Sequence, residues 1–331
     1  MILKELTPPL RLLLTEIIKR RLTIGNPRFK EIEKDLAKRW AGYWGELALA
    51  NYVKQLPQDK YYILHDLQLQ VNHIPFQMDT LLLSQKYLLI IEAKNIVGTL
   101  YFDNLFKQLI RINDDGSQES FEDPRIQCQR LQSLLRNWLT QHSSNLLPIE
   151  TLIFFKSNQT ILKTNHSDQS DLSKICKGRD FFNKMEALEQ QYTQTKADNK
   201  TLIKIGNLLA SKSSPKQINI LEEYNLTKMD VRTGVCCPNE QCSHIPMNYK
   251  RGKWSCPACQ TPSKDAHLAA LNDYLHLFGP TITNAELRSF LHLPTNDIAQ
   301  KFLNRLELPS TGKTKNRLYQ LSPKLVPACG L

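Results

Sequence analysis

The sequence predicts an α/β fold, a mixed β-sheet flanked by helices, followed by a small cysteine-rich module and a helix-rich C-terminal region. Three observations carry that expectation. Short apolar runs at residues 61–64, 67–71, 78–84, 87–91 and 151–157 read as buried strands, interleaved with helix-periodic stretches at residues 41–56 and from Pro124 onward. Five of the eight cysteines fall between Cys236 and Cys259, too clustered for a disulfide framework and suited to one metal site. Three compact helical patterns then precede a basic, hairpin-like stretch.

Length and charge bound the partners. At 331 residues the chain has room for two or three domains, and 41% hydrophobic residues supply a sizeable core. The net charge of +11 makes a polyanion the first partner to consider, with an acidic membrane surface as the rival. The apolar run at residues 10–18 is interrupted by Arg11 and Glu16 and is too short to cross a bilayer. The expectation is therefore a cytoplasmic protein with reduced thiols and no membrane partner. Residues 1–40 form a basic helical segment, with ten Lys or Arg against five Asp or Glu. Its adjacent Lys19, Arg20 and Arg21 are either a solvated face or a phosphate-contacting arm.

Residues 41–56 place Leu49, Tyr52, Val53 and Leu56 on one helical stripe, with Glu46 at its edge, where an unpaired carboxylate is costly. Glu46 also reads as a first-turn glutamate favoured by the helix dipole. Gly42 and Gly45 would let a strand end approach the helix start. Residues 77–94 then carry charge where charge is expensive. Strand alternation puts Leu88, Ile90, Glu92 and Lys94 on one face, with Asp79 on the neighbouring strand of a hairpin that turns at Ser84 and Gln85. The two carboxylates suit a hard divalent cation, Mg²⁺ or Mn²⁺, with Lys94 beside them to polarise a phosphate or water. The competing reading is a salt-bridged strand end. His73, just before Pro75, reads as a loop residue. After Pro124, a helix-start residue, Gln127, Leu131, Leu134 and Trp138 share a face, so Gln127 is either part of a site or a hydrogen-bonded core residue.

The order and spacing of GYWGE (residues 42–46), QMD (77–79), IIEAKN (90–95) and Gly98 resemble the NERD, or nuclease-related, domain of the PD-(D/E)XK nuclease superfamily, over about residues 40–158. The resemblance implies a restriction-endonuclease-like core at residues 41–158. It also implies a divalent-metal-dependent nuclease that hydrolyses phosphodiester bonds, with DNA favoured over RNA. The site carried over comprises Glu46, Asp79, Glu92, Lys94 and Gln127, with Asp79 and Glu92 on the Mg²⁺ (or Mn²⁺). Gln108 and Arg111 suit the family pattern without an assignable role. The alternative is a catalytically weak nucleic-acid-binding adaptor.

Residues 159–235 read as a helical extension and linker, with helices near 180–192 and 199–210. At residues 236–262, Cys237 and Cys242 enclose four residues, Cys256 and Cys259 enclose two, and thirteen lie between the pairs. That spacing predicts a ribbon around a structural Zn²⁺, with Cys236 or His244 as alternative ligands. Lys250, Arg251 and Lys253 lie beside Trp254 on a hairpin suited to phosphate contact, where Trp254 either stacks on a base or packs next to the zinc. Residues 263–325 give helices at 267–278, 284–291 and 296–306, N-capped at the latter two by Thr283 and Thr295, then a wing carrying Lys313, Lys315 and Arg317. Together they predict a winged-helix-like nucleic-acid-binding domain, with protein contacts as the alternative use of such a module.

Overall fold

The charged hairpin lies in the middle of a six-stranded sheet. The computed structural model describes residues 1–142, 147–164, 172–313 and 317–322. It divides into two units, Met1–Pro9 with Ala37–Gln217, and Leu10–Leu36 with Ile218–Leu331. Among the described residues, no helix is long and apolar enough to cross a membrane.

The chain begins with β1 (Ile2–Lys4), α1 (Leu10–Arg21) and α2 (Phe29–Val53). It continues through β2 (Tyr62–Val71), β3 (Ile74–Leu83) and β4 (Leu88–Lys94). A meander follows, β5 (Thr99–Asp103), β6 (Gln108–Ile112) and β7 (Gln118–Glu122), and then α3 (Pro124–His142). The first unit closes with β8 (Ile149–Phe155), β9 (Ile161–Thr164), β10 (Ile175–Lys177), α4 (Phe181–Gln191) and α5 (Asn199–Lys212). The main sheet has the order β1-β2-β3-β4-β8-β10. β2, β3 and β4 are antiparallel, while β4, β8 and β10 run parallel.

This mixed sheet is buried on both faces, which is why β4 reads as a continuous apolar run. One face packs Leu88 and Ile90 against Leu131, Leu135 and Trp138 of α3 and Leu202, Ile205 and Leu209 of α5. The other packs Leu89 and Ile91 against Leu49 and Val53 of α2 and Phe181 and Met185 of α4. The α/β expectation is met, with three differences. The runs at 61–64 and 67–71 join in one strand, β2 (Tyr62–Val71), because pairing with β3 continues on both sides of a bend at Asp66, whose φ is 46°. Across that bend Leu64 and Leu67, three residues apart, face the same cluster, as do Met78 and Leu81 opposite, so simple alternation fails there. β10 adds a strand beyond β8, and β5, β6, β7 and β9 form a second sheet that the apolar pattern did not signal. Finally, α5 contributes core residues to this unit instead of serving as a linker, and the boundary expected at residue 40 falls inside α2.

The second unit holds α6 (Ile220–Glu223), the strands β11 (Asn248–Lys250), β12 (Lys253–Ser255) and β13 (Pro262–Ser263), and α7 (Ala266–Phe278). β14 (Thr281–Thr283), α8 (Asn284–Leu291), α9 (Asn296–Arg305), β15 (Ser310–Thr311) and β16 (Leu318–Gln320) complete it. Thr283 and Thr295 cap α8 and α9 as expected, accepting from the amides of Glu286 and Ile298. The cysteine hairpins and C-terminal helices share one core, with Met247 and Trp254 packed among Leu271, Leu287, Phe290 and Phe302. The basic run in α1 is no phosphate arm. Arg21 is fully buried and bonds Asp273 at 2.6 Å, Arg20 meets the same carboxylate at 2.7 Å, and Lys19 pairs with Glu33 at 2.9 Å.

Candidate active site and zinc centre

Glu46 reaches the end of β4 through one close approach. Gly45 packs on Asn95, whose Cβ would stand 3.1 Å from a Cβ at residue 45, and Asn95 Nδ2 donates to the Ala41 carbonyl at 2.7 Å. Only glycine fits there without a shift. Gly42, by contrast, faces open space. Because α2 begins at Phe29, Glu46 is a mid-helix residue, and the first-turn dipole reading is excluded.

β4 ends by placing Glu92 and Lys94 on the face covered by α3. The first turn of α3 is fixed by Pro124 and by Asp123, whose Oδ1 accepts from the Arg125 amide at 2.8 Å. That turn presents Gln127. Glu92 Oε1 accepts from Gln127 Nε2 at 2.6 Å and from Lys94 Nζ at 2.8 Å, and Lys94 Nζ also donates to Gln127 Oε1 at 2.9 Å. The three side chains thus close a triangle. Beside it, Asp79 Oδ2 accepts from the Ala93 amide at 2.8 Å, tying β3 to β4 within the E-x-K segment.

Lys94 does pair with Glu92, as a salt-bridged strand end would have it, and two further features go beyond that pair. Glu92, 4% exposed, and the half-buried Glu46 each hold an Oε2 that is buried with no hydrogen-bond partner. Such an oxygen is costly unless something positive meets it. Moreover, the carboxyls repel one another. Burial raises Glu46 to about 7, with Asp66 and Glu92 adding to the rise and Lys4 opposing it. Asp79 is pushed well above the ordinary carboxylate range by burial and by Glu92 and Glu46, against the Ala93 hydrogen bond and Lys94. Burial would lower the Lys94 ammonium, but its ion pair and hydrogen bond with Glu92, helped by Asp79, raise it, so it stays protonated near neutrality. An all-oxygen donor set whose carboxyls are held towards the neutral form by burial and mutual repulsion, and whose Glu46 and Glu92 keep orphaned oxygens, fits a hard divalent cation, which would favour their ionised forms.

The sequence reading missed Asp66 and Lys4. Lys4 Nζ donates to the carbonyls of His65 at 2.8 Å and Asp66 at 2.6 Å, pinning the bend in β2. The Asp66 carboxylate, nearly buried, accepts from Gln68 and Gln77, and its charge reaches Glu46. The only sequence signal was a charge interrupting two apolar runs, which read as a break. Gln108 and Arg111 lie in the second sheet. Gln108 bonds Asp103 at 3.0 Å and Arg111 lies beside Gly98 and Glu119, with no bond from either to Glu92, Lys94 or Gln127 among the described residues.

In the second unit, the Sγ atoms of Cys237, Cys242, Cys256 and Cys259 lie within 4.8 Å of one another, a donor set that could hold Zn²⁺. Cys236 is outside this group, its thiol instead feeling Arg21, Asp273, Arg20 and Arg232. His244 contributes its backbone carbonyl to the Cys237 amide at 2.8 Å. Trp254 is fully buried against Tyr249 and Phe302 and donates to His267 Nδ1 at 3.4 Å, so it packs beside the cysteines and offers no base a face. Lys250, Arg251 and Lys253 are exposed at the hairpin tip. Lys313 is exposed, Arg317 lies 6.0 Å over the Tyr319 ring, and Lys315 lies outside the described residues.

The first unit is therefore a mixed-sheet α/β domain with a carboxylate, lysine and glutamine site at the end of its central strands. Residues 41–156 match the family model of NERD, the nuclease-related domain, so this part of the chain is a NERD domain. Comparison with curated proteins and with solved structures gives no significant match.

Proposed function

We propose that the chain is a divalent-metal-dependent nuclease that hydrolyses phosphodiester bonds, with DNA as the favoured substrate. The observation that carries the reading is the Glu92–Lys94–Gln127 triangle standing beside Asp79 with unpartnered carboxylate oxygens on Glu92 and Glu46. Asp79 and Glu92, with the Ala93 carbonyl, would hold Mg²⁺ or Mn²⁺. When bound, that ion neutralises the phosphodiester charge and polarises a phosphoryl oxygen. Lys94, protonated, supplies a fixed positive charge for the charge that develops on the phosphoryl group, and not a base. Gln127 sets the rotamers of Glu92 and Lys94 from α3. Glu46, titrating near 7, tunes the site's negative charge and can exchange a proton at neutral pH.

The four cysteines would hold a structural Zn²⁺ at the heart of the second unit. The order α7, β14, α8, α9, β15, β16, with β16 between β14 and β15, supports a winged-helix-like reading of its C-terminal part. A catalytically weak nucleic-acid adaptor is the second reading. It has little use for a protonated lysine locked between a glutamate and a glutamine, whereas the exposed cations of the second unit suit it equally.

The test is a panel of single-stranded, double-stranded and branched DNA and RNA incubated with the full chain and Mg²⁺ or Mn²⁺. Metal-dependent shortening of at least one substrate is expected. Binding without cleavage across the whole panel would leave the adaptor.

A further inference from the structure

In the second unit, the tip of the β11–β12 hairpin and one flank of α9 enclose a cleft of about 450 Å³, within the range of specific ligand sites. Four cations line it, Lys250 and Arg251 from the hairpin and Lys301 and Arg305 from α9, and none of its lining residues is acidic. All four are exposed, and none has an ion-pair partner among the described residues. The floor is apolar, with Tyr249 and Phe302 packed together at 5.4 Å between ring centroids. The sequence reading named the hairpin cations but gave Lys301 and Arg305 no role. Their convergence depends on α9 turning Ala299, Phe302 and Leu303 into the core, which leaves positions 301 and 305, one turn apart, on the open flank.

A second observation points the same way. The hairpin turns through Arg251 and Gly252, at φ 50° and 80°. The first of these left-handed positions normally takes Asn, Asp or Gly, and an arginine there gives up turn stability. Arg251 is thus placed where the turn would prefer another residue and where the cleft receives a guanidinium.

We infer that this cleft binds the phosphodiester backbone of a nucleic-acid strand, making the cysteine hairpin and α9 a single binding element. Clustered cations without counter-charges attract a polyanion, and an aromatic, apolar floor accommodates the sugar and base edges that accompany phosphate. For the identity of the polyanion the inference rests on the nuclease reading; the charge and shape of the cleft do not.

Binding is measured by fluorescence anisotropy with labelled single-stranded and duplex DNA and RNA oligonucleotides, using the full, zinc-loaded chain in Ca²⁺ and carrying Glu92→Ala so that nothing is cut. The quadruple substitution Lys250→Ala, Arg251→Ala, Lys301→Ala, Arg305→Ala is expected to weaken binding at least tenfold near 0.1 M salt. It is also expected to flatten the slope of log affinity against log salt by about 3, since each phosphate neutralised contributes roughly 0.7 to 0.9. Arg251→Asn alone is expected to raise the hairpin's thermal stability while lowering affinity. Circular dichroism and zinc content confirm that the variants remain folded. Unchanged affinity and slope in the quadruple variant overturn the inference, as does an acidic peptide of equal charge that binds as tightly as DNA or RNA and loses affinity equally in that variant. Cleavage by the otherwise native chain is scored separately, so loss of the cleft reading and loss of the nuclease reading give different results.

Discussion

Replacing Glu46 by Gln should remove a pH dependence from folding stability. The Glu46 carboxyl moves from 4.5 to about 7 on folding. At 1.36 kcal/mol per pH unit that interval corresponds to about 3 kcal/mol, or about 2 kcal/mol for a half-buried group partly screened by solvent. The folded chain holds this proton more tightly than the unfolded chain, so Glu46's contribution to stability falls as pH rises from 4.5 through 7 and stays low above it. His65, lowered to about 4 by burial and by Lys4 and Lys54, acts with the opposite sign between about 4 and 6.5, and Asp79 shares the sign of Glu46. Both remain in the variant, so the difference between the two proteins isolates Glu46. Urea unfolding followed by circular dichroism in Mg²⁺-free buffer should show the wild-type advantage over Glu46→Gln shrinking by about 2 kcal/mol between pH 5 and pH 8. Millimolar Mg²⁺ should restore part of it at pH 8, because the ion favours the deprotonated site. Parallel stability curves for the two proteins across that range would mean that Glu46 keeps its unfolded-state proton affinity on folding.

Other consequences follow from the same contacts. Gln127→Ala should leave the Glu92–Lys94 pair intact but loosen both rotamers, slowing single-turnover cleavage about 10- to 100-fold, whereas Gln127→Glu should recover little because it cannot donate to Glu92 at neutral pH. Asp273→Ala strands the buried Arg21 and should cost the second unit about 3–5 kcal/mol, read from hydrogen exchange of that unit's core amides. The Cys256→Ser, Cys259→Ser double variant should drop from about one zinc per chain to near none by elemental analysis.

Much of the candidate site was legible because each of its parts is marked by its own local pattern. The two-residue spacing of Glu92 and Lys94 puts both on one face of a strand, and the helical stripe after Pro124 points Gln127 at the sheet. Asp66 and Lys4 were not legible, since their placement needs a left-handed bend inside β2 and a parallel edge strand from the chain's start. Nor was the second sheet. β7 is exposed along its whole length, so it lacks the apolar alternation that marks a strand, and it is held by its pairing with β6. In the second unit, local capping and cysteine spacing were readable, while the core around Trp254 joins the cysteine hairpins to helices further along the chain, and the neutralisation of Arg20 and Arg21 by Asp273 depends on residues more than 200 positions apart.

The central claim is that Asp79, Glu92 and Lys94 form a hydrolytic site, and one measurement addresses it most directly. Wild type, Glu92→Ala and Lys94→Ala, purified identically and shown to be folded, are compared for Mg²⁺-dependent cleavage of the best substrate in the panel. Both substitutions should abolish cleavage, because one removes a proposed ion ligand and the other the fixed positive charge. Equal cleavage by all three would assign the activity to a contaminant and contradict the account.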